Sequence, residues 1–451
     1  MKQKILYLPI EVKNRELFSK LLLAFAATSR GYKVIIGHRI SLIEKIPFLE
    51  RGIFFNMHAL FHDYDHLKKL KNNGFIVTAL DEEGPFIYDV KNHERYRVSE
   101  KTLSITDHFF CWGKKEHKII SDKLPHLKSK LSLSGNPRFD LLRKELRNFT
   151  DKEANKIKAK FGDFILINTN FGRFNNFVGL EDYLEILKAD GRFDDPADKE
   201  FYMDEVLYQK EIMPKFQEMA KKLSDIFPEK NIVIRVHPSE NINIWNESLD
   251  RYSNIFIVRE GNVLNWIAAC DELVHNNCTT AIESYVMGKI SFSYRPIDWP
   301  GHEDLLPNQL SIESGGLEEL VDLIINSNNL TNELNIKQKF LNEYVESLDQ
   351  SFSFEKILNK MDTFNIEHKW SDILFKSAFL RQVNEKLFDF KKFLRILLKG
   401  NFRLDYEDNK FPGISSDEII EFFEALNKDN RFSSISIRRF GKNCFEIKSN
   451  Y

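Results

Sequence analysis

The segment NIVIRVHP at residues 231–238 decides the fold class, because a short apolar run ends abruptly there in charged and turn-forming residues. Apolar runs of this length, bounded by turn signals, are typical of buried strands in parallel sheets. Pro238 cannot donate to a strand ladder, so it ends the strand. Arg235 and His237 are then expected at the carboxyl end of a parallel strand, where α/β proteins bind ligands.

Similar apolar runs recur on both sides of this segment, and helix-like segments separate them. The predicted strands are Ile5–Pro9, Lys33–Gly37, Ile53–Asn56, Phe75–Leu80, Asp107–Trp112 and Leu131–Ser134, then Phe164–Asn168, Asn231–Val236, Asn254–Val258, Glu272–His275 and Ile290–Tyr294. Strand and helix alternating at this spacing predict parallel βαβ units, and hence an α/β fold.

The charged segment 150–160 divides the two series of strands and is predicted to be a linker helix. We therefore expect a Rossmann-like domain over residues 1–149 and a second one over 150–362. Residues 363–451 are expected to form an α-rich extension with a terminal hairpin. Two tandem domains of this kind predict a central cleft at the carboxyl ends of their sheets. Residues 171–205 are polar and predicted to be irregular.

The composition argues against several classes of protein. The 451 residues include 65 Lys and Arg and 67 Asp and Glu, a formal charge of −2, which argues against a nucleic-acid binder. No apolar stretch reaches the ~18 residues of a membrane span. The four Cys form no C-x-x-C pair, so disulfides and structural zinc are not expected, and a cytoplasmic location is predicted.

The sequence DEEGP at residues 81–85 follows a predicted strand directly. Asp81, Glu82 and Glu83 are adjacent carboxylates that repel one another. Repulsion of this kind raises the pKa of at least one carboxyl group, which suits a general base. The alternative interpretation is a solvated acidic turn.

The second series of strands carries groups suited to phosphate. Arg235, His237 and Pro238 follow one strand, and a guanidinium and an imidazole there can bind an anion together. The sequence HNNCTTAIE at residues 275–283 places Asn277, Thr279 and Thr280 at the start of a predicted helix. Free backbone N–H groups at a helix start attract phosphate, and Glu283 can accept a ribose hydroxyl. The alternatives are a capped strand end and simple helix capping.

A weaker candidate is the turn REGNVL at residues 259–264, where backbone groups around Gly261 can contact the edge of a base. Taken alone, this turn indicates little. The order of the motifs along the chain is more specific than any one of them.

In that order the motifs resemble those of bacterial glycosyltransferases that use CMP-activated 2-keto-3-deoxy sugars. The sialyltransferases of that group, which have a GT-B fold, carry a D/E-D/E-G motif, an H-P motif and a Ser/Thr motif. The matching residues are Glu82–Gly84, His237–Pro238 and Thr279–Thr280. The longer frame, with R-x-H-P, T-x-x-E and M-G-K, looks most like the Kdo transferases of capsule and lipopolysaccharide assembly. The resemblance covers about residues 1–360.

The resemblance implies roles for these residues. His237, Thr279 and Thr280 would hold the CMP phosphate, and Glu82 would be the general base, with Asp81 an equally good chemical candidate. Some Kdo transferases are thought to use a carboxylate nucleophile, for which Asp204 is the candidate, ahead of Glu181 and Asp182. No cofactor other than the donor is expected. No metal is expected either, because no D-x-D motif stands at a suitable strand end.

The implied function is transfer of Kdo or a related sugar from a CMP-sugar to a surface-polysaccharide or lipopolysaccharide acceptor. Residues 386–403 alternate basic and apolar side chains, which predicts contact with the inner face of a membrane or, alternatively, a helix packed on a domain. Two other functions stay open. One is a UDP-sugar or CDP-glycerol dependent enzyme, either an epimerase or a glycerophosphotransferase. The other is a non-catalytic scaffold with the same fold.

Overall fold

A computed structural model describes residues 3–84, 93, 97–299, 305–348, 351–367 and 411–450. These residues form two compact units. The first unit combines residues 1–149 with residues 342–451, and the second unit is residues 150–341. The predicted α/β class is confirmed, and each unit contains a doubly wound sheet of the Rossmann type.

The first unit has an eight-stranded sheet in the order β13-β14-β2-β1-β3-β4-β5-β6. Its strands are β1 (Ile5–Ile10), β2 (Lys33–His38), β3 (Ile53–Asn56), β4 (Ile76–Leu80), β5 (His108–Cys111), β6 (Leu131–Leu133), β13 (Ile435–Gly441) and β14 (Cys444–Ser449). The strands β1 to β6 pair in parallel, and β1 and β3 are buried along their whole length. Burial on both faces is what a parallel sheet covered by helices requires.

The helices of the first unit connect these strands or cover the sheet. Before residue 150 they are α1 (Lys13–Ser29), α2 (Arg39–Ile43), α3 (Tyr64–Asn72), α4 (Glu100–Ile105), α5 (Lys114–Lys123) and α6 (Pro137–Asp140). The next strand after β1, β2, pairs with it on one side, and β3 pairs with it on the other side. The order of the strands reverses there, so the topological switch point lies between β1 and β3. Ligands bind outside the carboxyl ends of the strands at such a point.

The second unit has a six-stranded parallel sheet in the order β12-β11-β10-β7-β8-β9. Its strands are β7 (Phe164–Asn168), β8 (Asn231–Arg235), β9 (Ile255–Val258), β10 (Glu272–His275), β11 (Ser291–Tyr294) and β12 (Ile312–Ser314). Its helices are α7 (Asp151–Phe161), α8 (Leu180–Ala189), α9 (Pro196–Ile226), α10 (Ile242–Leu249), α11 (Val263–Ala269), α12 (Thr280–Val286), α13 (Leu306–Leu310) and α14 (Leu317–Ile325). The switch point lies between β7 and β10.

The chain returns to the first unit after residue 341, through α15 (Thr331–Tyr344), α16 (Ser353–Asp362) and α17 (Ser416–Leu426). The predicted second domain was extended to residue 362, with a separate C-terminal extension after it, and the structure differs on both points. Asp140 accepts the backbone N–H groups of Ser353 and Phe354 at 2.9 Å each, which fixes the start of α16. Phe422 of α17 stacks on Phe18 with 4.5 Å between the ring centroids.

The terminal hairpin β13–β14 was predicted from the sequence and is confirmed, but its place in the sheet was not predicted. β14 pairs antiparallel with β2, so the hairpin extends the first sheet beyond the edge that β2 would otherwise form.

The prediction that residues 171–205 are irregular is wrong. α8 and most of the first third of α9 lie in this segment. Asp195 caps α9 by accepting the backbone N–H of Ala197 at 2.8 Å, and Pro196 occupies the first turn, where its missing N–H costs nothing. Because this segment is rich in Asp and Gly, its composition alone does not indicate that a helix begins here.

Two parts of the sequence predictions fall outside the described residues, namely Pro85 and the basic segment 386–403. Among the helices that the structure does describe, none combines the length and the apolar character needed to cross a bilayer. The predicted cleft concerns the placement of one domain relative to the other and stays a prediction.

Gly37 is expected to be essential for docking of the hairpin. A methyl group at this position would lie 2.6 Å from Sγ of Cys444, its partner in the β2–β14 pairing, and would also clash with the carbonyl oxygen of Asn443. We expect Gly37→Ala to destabilise the first unit by about 1–3 kcal/mol in denaturant unfolding. Amide exchange should accelerate mainly over residues 435–449.

The matched control is Gly316→Ala, because a methyl group there meets nothing within 4 Å. This variant should change stability by no more than about 0.5 kcal/mol. Unchanged exchange in the hairpin of Gly37→Ala would contradict the proposed role of Gly37.

Candidate functional site

Three neighbouring strands of the second unit end at the same level and bring the predicted phosphate motifs together. Asn168 at the end of β7 is in register with Arg235 of β8 on one side and with His275 of β10 on the other. The Asn168 side chain donates to the Thr280 hydroxyl at 2.9 Å. The Thr169 hydroxyl accepts the backbone N–H of His237 at 3.1 Å. The R-x-H-P and Thr motifs are therefore joined through the end of β7, at the switch point.

His237 is held in one orientation at this edge. Its Nδ1 accepts from the backbone N–H of Ser239 at 3.2 Å and lies 2.7 Å from the Ser239 hydroxyl. The ring proton therefore resides on Nε2, which can donate to an anion. The surrounding protein and the positive charges of Arg235 and Arg259 lower the pKa of His237 to about 4.

Two arginines make this edge cationic. Arg235 donates to the carbonyl oxygen of Gly261 at 2.9 Å, and Arg259 donates to that of Glu240. Within the described part of the chain, neither guanidinium forms an ion pair with a carboxylate, and the buried Nε of each has no hydrogen-bond partner. Burial lowers the pKa of Arg235, but an arginine stays protonated at neutral pH. Two cations without a direct ion pair are suited to an anionic ligand.

The Thr motif adopts a different local geometry from the predicted one. Thr279 occupies the N-cap position of α12, but its side chain makes no capping hydrogen bond. Asn277 has a positive φ of 47°, and its side chain accepts from Asn308. Glu283 is buried, and its charge acts on Arg235. The predicted contact of Glu283 with a ribose stays a prediction, as does the contact of Gly261 with a base.

Glu240 is an important residue of this edge that the sequence analysis missed. Its buried carboxylate accepts from the Thr169 hydroxyl at 2.6 Å, the Phe171 backbone at 3.0 Å and the Trp245 indole at 3.0 Å. Burial raises its pKa, and these hydrogen bonds oppose that rise. Glu240 thereby ties the loop after β7 to the loop after β8. The only signal in the sequence was its position three residues after the histidine.

We call residues Arg235, His237, Arg259 and Thr280 the cationic edge. These residues lie at the carboxyl ends of β8, β9 and β10, and the end of β7 lies between β10 and β8.

The acidic turn, Asp81–Gly84, lies at the carboxyl end of β4 in the first unit. Asp81 is 2% exposed, and both of its carboxylate oxygens contact Arg97. The predicted rise in the pKa of a carboxyl group is wrong for Asp81 and Glu83. Burial opposes ionisation, but Arg97 lowers the pKa of Asp81, and Arg15 together with Arg97 lowers the pKa of Glu83.

The three acids differ in access to solvent. Glu82 forms a buried ion pair with Lys20 at 2.6 Å and accepts from Asn136 at 3.3 Å. Glu83 is the exposed member, with 52% of its side chain accessible, and it pairs with Arg15 at 2.6 Å and Arg97 at 3.0 Å. Glu83 is therefore the acid of this turn that a ligand can reach from solvent.

Asp204 lies in α9 and not in the irregular loop where it was expected. Both of its carboxylate oxygens lie 3.1 Å from the indole nitrogen of Trp299, which donates to them. It belongs to the second unit, and the same is true of Glu181 and Asp182 in α8.

No protein family profile matches the chain, and no curated protein sequence matches it. Similar solved structures include UDP-GlcNAc 2-epimerase from Neisseria meningitidis bound to UDP-GlcNAc, at 13% identity and a TM-score of 0.49, over 80% of this chain and 100% of that one. The wall teichoic acid polymerase TagF, soaked with CDPG, has 12% identity and a TM-score of 0.49, over 80% and 88%. S. aureus MnaA with UDP has 10% identity and a TM-score of 0.48, over 80% and 96%. At these values we transfer neither activity nor residue roles.

Glu116 lies below the acidic turn and is expected to make stability depend on pH. It is buried, and its carboxylate accepts the backbone N–H of Trp112 at 2.7 Å. Trp112 in turn donates its indole N–H to the backbone carbonyl oxygen of Asp81. Burial and then the charge of Asp81 raise the pKa of Glu116 to about 8. The folded state therefore binds this proton more tightly than the unfolded state, and stability falls as pH rises from about 4.5 to about 8.

Glu116→Gln keeps the acceptor oxygen and removes the titration. Its stability relative to wild type should rise by about 2–4 kcal/mol between pH 5 and pH 9 in denaturant unfolding. Glu100→Gln, at an exposed position of the same unit, should follow the wild-type pH profile. A pH-independent difference for Glu116→Gln would contradict the assignment.

Proposed function

We propose that this chain is an enzyme that acts on a nucleotide-activated sugar or polyol, and that the cationic edge holds the phosphate part of the donor. The observation that carries the proposal is the pair Arg235 and Arg259, which lack a carboxylate partner among the described residues and flank the Nε2–H donor of His237. This group lies at the carboxyl edge of a doubly wound sheet, on the two strands β8 and β9 that follow β7 at the switch point, and ligands bind along this edge in such folds.

The charge of the edge matches a donor with two negative charges. A CMP-linked 2-keto sugar acid carries one charge on its phosphate and one on its carboxylate. A UDP-sugar or CDP-glycerol carries two charges on its diphosphate. In each case the protein supplies the neutralising charge, so we expect donor binding to need no metal ion.

The first candidate is transfer of Kdo or a related sugar from its CMP derivative to a glycan or lipid-linked acceptor of the cell surface. It rests on the order of the acidic, H-P and Thr motifs. The second candidate is an epimerase or glycerophosphotransferase of cell-surface polymer synthesis that uses a UDP-sugar or CDP-glycerol. The length of the cationic edge favours this second candidate. Its hydrogen-bonding side chains are spread over the ends of neighbouring strands, which suits a diphosphate better than a single phosphate.

The acidic turn would supply the carboxylate of the reaction. Arg15 and Arg97 lower the pKa of Glu83, so this side chain is ionised at neutral pH. An ionised carboxylate can accept a proton from an attacking hydroxyl or stabilise an oxocarbenium-like transition state. Solvent access supports Glu83 for this role, whereas Asp81 and Glu82 are buried with Arg97 and Lys20. The two buried acids would then position the turn.

Nucleotide binding tests the phosphate site and separates the candidates. We expect calorimetry to show binding of CMP, UDP or CDP in the presence of EDTA. Tighter binding of CMP supports the first candidate, and tighter binding of UDP or CDP supports the second. Arg235→Met should weaken binding by about 10- to 100-fold, because it removes a charged hydrogen-bond donor.

Arg251→Met is the matched control, since Arg251 is an exposed arginine of the same unit, and it should leave affinity unchanged. If none of the three nucleotides binds, or if Arg235→Met binds like wild type, the phosphate-site assignment fails.

Donor consumption tests the acidic turn, and can be followed by NMR with CMP-Kdo, UDP-GlcNAc and CDP-glycerol. Glu83→Gln should lower the rate by at least about 100-fold, as expected for loss of a general base, and should leave nucleotide affinity within about twofold of wild type. Glu100→Gln serves again as the exposed control and should retain the rate. Wild-type turnover by both Glu83→Gln and Glu82→Gln would remove the acidic turn from the mechanism.

A further inference from the structure

A second cluster of titratable groups lies in the first unit, on the segment that leaves β3. Within nine residues this segment carries His58, His62, Asp63 and His66. Ligand atoms of His58, His62 and Asp63 all lie within 4.8 Å of one another. Because β3 flanks the switch point between β1 and β3, the cluster stands where this fold places ligands.

Asp63 is the fixed centre of the cluster. Its side chain is fully buried, and Oδ2 accepts the backbone N–H of Leu60 at 3.0 Å and contacts Nδ1 of His58. Oδ1 pairs with Arg39 at 2.7 Å and lies 3.9 Å from Nε2 of His62. The turn Phe61–Asp63 and the start of α3 bring the histidines to one carboxylate.

We propose that His58, His62 and Asp63 form a binding site for a divalent transition metal, with Zn²⁺ the best match. Two imidazoles and one carboxylate are a ligand set that zinc accepts and magnesium and calcium disfavour. Zinc bonds of about 2.0–2.1 Å in tetrahedral geometry need ligand atoms about 3.4 Å apart. Ligand atoms that lie up to 4.8 Å apart therefore close by up to about 1.4 Å, while Nδ1 of His58 and Oδ2 of Asp63, which are in direct contact, separate to admit the ion. The side chain of His62 is 61% exposed and is free to make that adjustment.

The neighbouring groups support the site, with one opposing charge. Arg39 repels a cation, but it also contacts Glu11 at 3.5 Å, and its pairing with Oδ1, together with the Leu60 N–H at Oδ2, fixes the orientation of the Asp63 carboxylate. His66 lies 3.7 Å from Asp63 as a further imidazole.

Three protein ligands leave one tetrahedral position for a water molecule or an oxygen anion of a small ligand, as in open zinc sites. The exposed position of His62 places that vacancy on the solvent side. The site adjoins the acidic turn on the same sheet edge, because β3 pairs with β4 and the backbone N–H of Glu82 donates to the carbonyl oxygen of Met57 at 3.0 Å. The proposal does not depend on the proposed function, because it rests on ligand geometry alone.

The test uses the full chain after treatment with a chelator. Calorimetry should show one Zn²⁺ bound per chain, and the same titration with Mg²⁺ should show none. Co²⁺ should give the strong visible absorption of a tetrahedral complex. His62→Ala should weaken zinc binding by at least about tenfold and abolish that absorption. Since His62 is exposed, this variant is expected to fold even where His58→Ala does not.

His126→Ala is the matched control, because His126 is another exposed histidine of the first unit, with 56% of its side chain accessible. It should bind zinc and cobalt like wild type. Absence of stoichiometric zinc binding by wild type would overturn the proposal. Wild-type affinity in His62→Ala, or equal loss in His126→Ala, would identify the binding as nonspecific and would overturn it as well.

Discussion

The buried carboxylate of Glu240 is the constraint on which the cationic edge depends. Glu240 lies in the loop after β8 and accepts hydrogen bonds from the Thr169 hydroxyl and the Phe171 backbone in the loop after β7, and so joins two loops that follow different strands. Thr169 in turn accepts the backbone N–H of His237, and the carbonyl of Glu240 accepts from Arg259. A buried carboxylate is tolerated only while its partners remain in place, so these loops have one stable arrangement. Two arginines and a histidine are thereby presented in a fixed pattern.

The same architecture yields two chemically different edges. In the second unit the carboxyl edge of the sheet carries arginines, a histidine and hydroxyls, which suit an anion. In the first unit the carboxyl ends of β3 and β4 are followed by histidines and carboxylates, which suit a cation or a proton transfer. The central strands β1 and β7 are apolar and buried, so the difference lies in the residues at and after the carboxyl ends of the strands. Chemistry in this fold is set by loops, while the sheets set only where the loops begin.

Local patterns predicted most of the strands, because a buried parallel strand is recognisable from its own residues. The run ending in Arg235 and His237 is the best example, and its predicted neighbours at Thr280 are indeed reached through Asn168. Properties that depend on distant residues were not predictable. The pKa of Asp81 is lowered by Arg97, 16 residues away, and α16 is anchored by Asp140, 213 residues away. The histidine cluster after β3 was overlooked because its ligands become a set only when the turn forms.

The antiparallel pairing of β14 with β2 has a consequence for synthesis of the protein. β2 ends at His38, whereas its partner strand ends at Ser449. At a translation rate of about 5–20 residues per second, the edge of β2 waits roughly 20–80 s for its partner. The last residue of the second unit, Leu341, is made within that interval, so this unit can fold while the nascent first sheet still presents an unprotected strand edge to other chains. The second unit can therefore be completed before the first, and the first sheet keeps an unprotected edge until residues 435–449 have been made.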